Sequence, residues 1–438
     1  MALKSLAWGA FALIGVVHAA STVELAPLVA AEQAQVVAWR RDIHQHPELS
    51  NREVRTSKLV AAHLKKLGLD VETYANTGVV GLLKGGQTGP TVALRADMDA
   101  LPVTEQTQVP FMSHATVTYR GETVGVMHAC GHDAHTAMLM GVADILVKVR
   151  GELKGNVLFL FQPAEEGAPA GEEGGAALML KQGVFDKYHP QAAFGLHVVS
   201  GLRVGQIGYR PGPAMAGADS FKIVVHGRQT HGARPWEGVD PIVVAAQVVT
   251  ALQTVVSRQI DITAHPAIVS VGVIRGGIRD NILPESAEMV GTIRTFDLGQ
   301  RDVILASLKR LVENTAAASG ATATFEVPPD GYPVLVNNPD LTQEMLPTLK
   351  SVAADGVLVM LPLITASEDF AFFAQKVPGL YINIGVTPPD VDPTTAPTNH
   401  SPNFYLDETG LALGVRAMAQ LAVDYLNQAS TPQKASAL

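Results

Sequence analysis

Val157-Leu158-Phe159-Leu160-Phe161-Gln162-Pro163-Ala164-Glu165-Glu166-Gly167 is the stretch that decides the fold. Apolar residues in an unbroken run, without alternation, describe a strand buried on both faces. Pro163 stops it, because proline cannot donate to a ladder. The acidic pair follows directly, so it stands at the carboxyl end of a buried strand, where ligand sites of open α/β sheets gather. Adjacent carboxylates repel, and two in a tight turn at that place make sense if a cation is near. On successive residues they point different ways, so one can bind metal while the other holds a proton beside it. For the pair alone, a solvated acidic turn is the plainer alternative.

Working outward, Leu25–Gly68 has helical spacing that Pro47 divides into two helices. Gly78–Leu83, Thr91–Ala96 and Ala192–Leu196 read as short buried strands, and Ala134–Val149 and Ala176–Gln182 as helices. Alternating strands and helices predict an α/β layer fold around a mainly parallel sheet. From Ala218 the pattern changes to strand Ser220–Val225, helix Pro241–Arg258, strands Ala267–Val273 and Glu288–Thr295, helix Asp302–Ala318 and strand Ala321–Val327. That β-α-β-β-α-β order is the split βαβ unit of a ferredoxin-like α+β domain, inserted into the first. The expected division is a catalytic domain over 20–217 and 328–438, interrupted by a smaller domain over 218–327. After Pro328 the α/β pattern resumes with Leu341–Ala353, Leu380–Gly385 and Gly410–Leu426.

The chain has 438 residues, 47% apolar and 17% charged, which excludes a disordered or fibrous protein. A net charge of −9 with no basic block argues against nucleic acid as a partner. Met1–Ala19 carries a lone Lys4, the apolar run Leu6–Val17 and a small residue at its end. This predicts a signal peptide over 1–19 and an exported, periplasmic or secreted protein. The run is too short for a comfortable membrane span. A single cysteine, Cys130, allows no intrachain disulfide. In an oxidising compartment such a thiol is at risk unless something occupies it, and a metal would do so.

His128-Ala129-Cys130-Gly131-His132-Asp133-Ala134-His135 gathers three imidazoles, the thiol and a carboxylate just before a helix. A Cys-x-His pair on a loop suits zinc, manganese or cobalt. His197 and His400 each end an apolar or loop segment and are weak signals alone. With Cys130, His132 and Glu166 they complete a ligand set large enough for two metals with one ligand shared.

These residues resemble the M20 metallopeptidases, in the subfamily of N-acyl-amino-acid amidohydrolases that includes hippurate hydrolases and plant auxin-conjugate hydrolases. The resemblance rests on Arg40–Glu48, Arg95–Pro102, His128–His135, Pro163–Gly167, His231–Pro235, Asn281–Glu285, Ser367–Phe370 and Asn399–Pro402. It implies a catalytic domain with two divalent ions per subunit, zinc or manganese, with cobalt and nickel as further candidates. It also implies an inserted lid domain and a homodimer or higher homo-oligomer. Carried over by position, Cys130, His132, Glu166, His197 and His400 are the ligands, with Cys130 bridging where other branches use aspartate. Glu165 is the general base, and His231 polarises the scissile carbonyl, from the partner subunit in related dimers. Asn281 and Arg294 bind the substrate carboxylate, and Asp99 orients a ligand. Asp97 stands where other branches have a ligand histidine. The sequence departs from the pattern at Gly227–Thr230, at Trp236 and at the polar strand Tyr381–Gly385.

The expected activity is hydrolysis of N-acyl or N-aroyl amino acids. Three rivals share many of these residues: a dipeptidase or carboxypeptidase of the same group, a thiol amidase built on Cys130, and a non-catalytic periplasmic peptide- or metal-binding protein. A thiol amidase leaves Glu165-Glu166 and the distant histidines unexplained, and mere binding does not need Glu165.

Overall fold

A computed structural model describes residues 23–430, so the expected signal segment Met1–Ala19 lies outside the described residues. Its largest sheet has eight strands in the order Asp70–Tyr74, Gly78–Lys84, Lys154–Gln162, Gln87–Asp97, Pro190–Arg203, Gly379–Thr387, Ile207–Tyr209 and Leu358–Met360. The centre is parallel: Gln162 lies opposite Asp97, and Asn383 opposite His197. The flanks are not: Gly78–Lys84 runs antiparallel to both its neighbours, as does Ile207–Tyr209 to Gly379–Thr387. The sheet is therefore more mixed than the sequence suggested. Asp70–Tyr74 and Gly78–Lys84 are joined by a three-residue turn, which only antiparallel neighbours permit.

Helices cover both faces. Ala26–Gln45, His132–Lys148 and Leu411–Ala429 bury Val36, Met138, Leu139, Val415 and Leu421 on one side. On the other, Ala176, Met179, Phe185, Phe370 and Phe373 pack against Leu158 and Leu160 of the deciding strand. Alternate residues of that strand thus feed two cores, which is why its sequence does not alternate.

The second unit has its own core. Its four strands, all antiparallel, lie in the order Ala267–Gly276, Ser286–Thr295, Gly217–His226 and Thr322–Glu326. This is the ferredoxin-like order, with Pro241–Gln259 and Leu298–Ala318 packed on the sheet. Asp240 and Asp297 cap the two helices by accepting backbone N–H bonds in their first turns. By length and composition Pro241–Gln259 could cross a membrane. In the fold, Val244, Val248, Leu252 and Val255 line the buried stripe, while Gln247, Gln253 and Arg258 face outward.

Candidate metal centre

The parallel strands aim their carboxyl ends at one place. Asp97 and Asp99 follow one strand, Glu165 and Glu166 the next, and His197 lies along a third. The Cys130 sulfur sits at the centre, 3.3 Å from His197 Nε2 and 3.2 Å from His400 Nε2. Donor atoms of Cys130, His132 and His197 lie within 4.8 Å of one another, as do those of Cys130, Glu166 and His400. Two ligand triads thus share one sulfur. Gly131 makes the tight step between Cys130 and His132: its φ is +99°, and a Cβ there would lie 2.3 Å from Val198 Cγ2.

Hydrogen bonds settle which imidazoles offer a lone pair. His197 Nδ1 donates to the Val198 carbonyl at 2.7 Å, so its neutral ring presents a bare Nε2. His132 Nδ1 faces Asp99 Oδ1 at 3.3 Å, and neither of its buried ring nitrogens has a hydrogen-bond partner among the described residues. A buried imidazole nitrogen without a hydrogen-bond partner is free to ligate a metal. His135 is committed elsewhere. Its Nε2 accepts from Val198 N at 2.9 Å, so Nδ1 donates to Asp97 at 2.6 Å. Asp97, whose place elsewhere belongs to a ligand, here orients His135 and through it the strand that carries His197. His128 has both ring nitrogens buried without a hydrogen-bond partner too, but it lies against the His44 ring and in none of the ligand groups, and burial pushes it down to about 3, so it stays neutral. Of the three loop histidines only His132 joins a Cys130 triad.

The acidic turn is held from several sides. Glu53 Oε1 accepts from Ala164 N at 2.9 Å, and the two oxygens of Asp99 accept from Glu165 N and Glu166 N at 3.0 Å each. Ala164 sits in the left-handed region at φ +53°, a strain that such clamping sustains. The two glutamates then diverge. Glu166 Oε1 is 3.1 Å from His400 Nε2, within the second Cys130 triad. Glu165 groups instead with His132 and Glu166 on one side and with Glu368 and Asp369 on the other, and joins neither triad of Cys130.

The charge balance asks for cations. Buried here are Asp97, Asp99, Glu165, Glu368 and Asp369, with Arg95 answering part of their charge. The Arg95 guanidinium bridges Asp97 at 2.6 Å and both Glu368 and Asp369 at 2.8 Å. Burial, then the carboxylates of Glu166, Glu165 and Asp97, raise the Cys130 thiol well above its ordinary value. Burial, then Glu368, Glu166 and Asp369, raise Glu165 as well. Burial opposes charge on His132, but Asp97 and Asp99 overcome it and hold the ring up at about 10. A thiol surrounded by carboxylates becomes a thiolate only with added positive charge. The mixed sulfur, imidazole and carboxylate donors fit two zinc-class ions.

The sulfur opens onto a cavity of about 650 Å³, a volume that suits a small ligand. Its walls include Glu165, Tyr332 and Asn383, with Arg294 and Thr292 from the smaller domain. Arg294 is half-buried and forms no salt bridge among the described residues. Its guanidinium donates to Thr292 Oγ1 and to the Ile293 carbonyl. His231 and Asn281 are not on this wall. They stand exposed on a two-stranded ribbon, where Gly232 N bonds the Asn281 carbonyl at 2.8 Å. Trp236, 75% exposed, does not line the cavity either. The polar departures in Tyr381–Gly385 find their use: the Tyr381 hydroxyl donates to Glu368, and Asn383 faces the cavity.

Sequence reading gave no role to Glu53, Tyr332 or Asn399, the last of them quoted only within the motif Asn399–Pro402. Asn399 Nδ2 donates to the carbonyls of Cys130 and Val198 at 2.9 and 3.0 Å, stapling the His400 loop to the sulfur. The one signal for it was its place beside His400. The N-terminal motif serves as scaffold: Arg40 Nε and His44 Nδ1 each reach Asp133 Oδ2 at 2.8 Å, fixing the first turn of the helix that begins with His132.

The profile of the family described as Peptidase family M20/M25/M40 matches residues 93–424. Thermostable carboxypeptidase 2 of Saccharolobus solfataricus is 42% identical over 395 residues, which is 90% of this chain and 96% of that protein. The N-acetylcysteine deacetylase of Bacillus subtilis is 37% identical over 410 residues, 90% of this chain and 97% of its own. Among solved structures, the Bacillus subtilis YXEP protein, described as a dinuclear metal binding peptidase from the M20 family, superposes with a TM-score of 0.75. It is 36% identical, over 91% of this chain and 99% of that one. With the length, the fold and the shared-sulfur ligand set all accounted for, the chain belongs to peptidase family M20/M25/M40.

Proposed function

We propose that this protein hydrolyses the amide bond of N-acyl or N-aroyl amino acids, releasing a carboxylic acid and a free amino acid. The observation that carries this reading is the Cys130 sulfur shared by two ligand triads, with the Glu165 carboxylate, which belongs to neither triad, on the wall of the same cavity. Cys130, His132, Glu166, His197 and His400 would hold two divalent ions, which supply the Lewis acidity that polarises an amide carbonyl and acidifies water. Glu165 takes the proton of the attacking water and delivers it to the leaving nitrogen. The bond from its backbone N–H to Asp99 holds the turn that carries the carboxylate in one place. Arg294, which forms no salt bridge among the described residues, offers its fork to the substrate's carboxylate.

His231 and Asn281 stand off their own cavity, which supports a homodimer in which the partner's copies complete the site. The segment Met1–Ala19 supports export to the periplasm or medium.

The carboxypeptidase relative favours a second reading, since a dipeptide also offers an amide beside a free carboxylate. A panel of N-acyl amino acids, N-aroyl amino acids and dipeptides, given to zinc- or manganese-loaded protein, separates the two. The expected result is turnover of the acyl and aroyl compounds, abolished by EDTA and restored by either metal. Preference for dipeptides would establish the second reading. Turnover that survives EDTA would make Cys130 a nucleophile, and no turnover at all would leave a binding protein.

A further inference from the structure

The amides of the Ala164–Glu166 turn are all held from the catalytic layer, by Glu53 and Asp99. The carbonyl of Glu165 is held from elsewhere: it accepts the Tyr332 hydroxyl at 2.6 Å. Tyr332 lies where the chain leaves the smaller sheet, between Thr322–Glu326 and the strand Leu335–Asn337, which pairs with Gly212–Met215. It pairs there with Ala218, at the start of the strand Gly217–His226, Ala218 N to Tyr332 O at 2.9 Å and Tyr332 N to Ala218 O at 2.8 Å. The crossing is tight. A Cβ on Gly331 would lie 2.6 Å from Asp219 Oδ1 and 2.8 Å from the Ala218 carbonyl. The Tyr332 ring stands edge-on to Phe372, with centroids 6.2 Å apart.

We propose that Tyr332 is a positioning residue whose hydroxyl ties the two-stranded crossing between the domains to the peptide of Glu165. The tie makes the placement of the base depend on the position of the smaller domain. Any rotation about the crossing moves the Tyr332 backbone, and the hydroxyl carries that movement to the Glu165 carbonyl. The other clamps on the turn belong to the catalytic layer and do not move with the crossing. The inference rests on the proposed function in taking Glu165 as the base.

Tyr332→Phe keeps the ring against Phe372 and removes only the oxygen. Two readouts decide the proposal: hydrogen exchange on the zinc-loaded protein, and steady-state kinetics. Exchange across residues 164–167 is expected to speed at least about fivefold, with metal content and the strands of both sheets unchanged. The kcat is expected to fall roughly 10-fold with KM within about twofold, the pattern of a displaced base rather than weakened binding. A merely structural role would lower the melting temperature without that split. Gly331→Ala, which forces the crossing to shift, should speed exchange in the same turn when Tyr332 is present and add little in Tyr332→Phe. Unchanged exchange at 164–167 in Tyr332→Phe overturns the tie. So does an equal Gly331→Ala effect in both backgrounds. Faster exchange with unchanged kcat overturns the link to the base. If the wild-type protein cleaves no amide, the proposed function fails, and the exchange data still decide the tie.

Discussion

Glu165→Gln is expected to bind two metals per chain and to hydrolyse at roughly one thousandth of the wild-type rate, within the usual range for a lost general base. That corresponds to about 4 kcal/mol of transition-state stabilisation. Glutamine fills the same volume and leaves the backbone clamps of the turn intact, so the metal ligands keep their places. What disappears is a carboxylate on the cavity wall beside the sulfur that belongs to neither Cys130 triad. Metal content and rate should be measured on one sample. Near wild-type turnover with full metal would remove Glu165 from the mechanism, and loss of metal would make it a ligand.

His231→Ala is expected to lose about 10²–10³ in rate, the cost of one donor to a developing oxyanion. The larger effect comes on mixing. In a two-fold dimer the site of one subunit would combine its own Glu165 with the partner subunit's His231. His231→Ala and Glu165→Gln chains, each inactive alone, would then form a heterodimer with one complete site. Co-expression should restore activity up to about half the wild-type rate per heterodimer. The exposure of His231 and its absence from its own chain's cavity motivate the test. Heterodimers that form and remain inactive would show that His231 serves its own chain or no site.

The strands with unbroken apolar runs were legible because burial on both faces leaves no room for polar residues. The run Val157–Phe161 within Lys154–Gln162 shows this directly, whereas the buried Gly379–Thr387 keeps Tyr381 and Asn383 for the site. The flanking strands were harder. Asp70–Tyr74 carries Asp70, Glu72 and Thr73 toward solvent at the sheet edge, and Ile207–Tyr209 is three residues long, too short for a periodicity. The ligand loop was legible because five reactive groups in eight residues have no ordinary structural purpose. Sorting its histidines was not, since His128, His132 and His135 differ only in what they face in the fold. Glu53 and Tyr332 carry no local signature at all. Each acts on the Glu165 turn from more than 100 residues away, by a hydrogen bond that only the folded chain creates.

At the centre of the site one thiolate would be shared by two ions. Anomalous scattering from crystals of the zinc-loaded protein measures this directly. Two peaks about 3.5–4 Å apart are expected, each about 2.3 Å from the Cys130 sulfur, with His132 and His197 around one and Glu166 and His400 around the other. A single peak, or two peaks of which the sulfur touches one or neither, would contradict it.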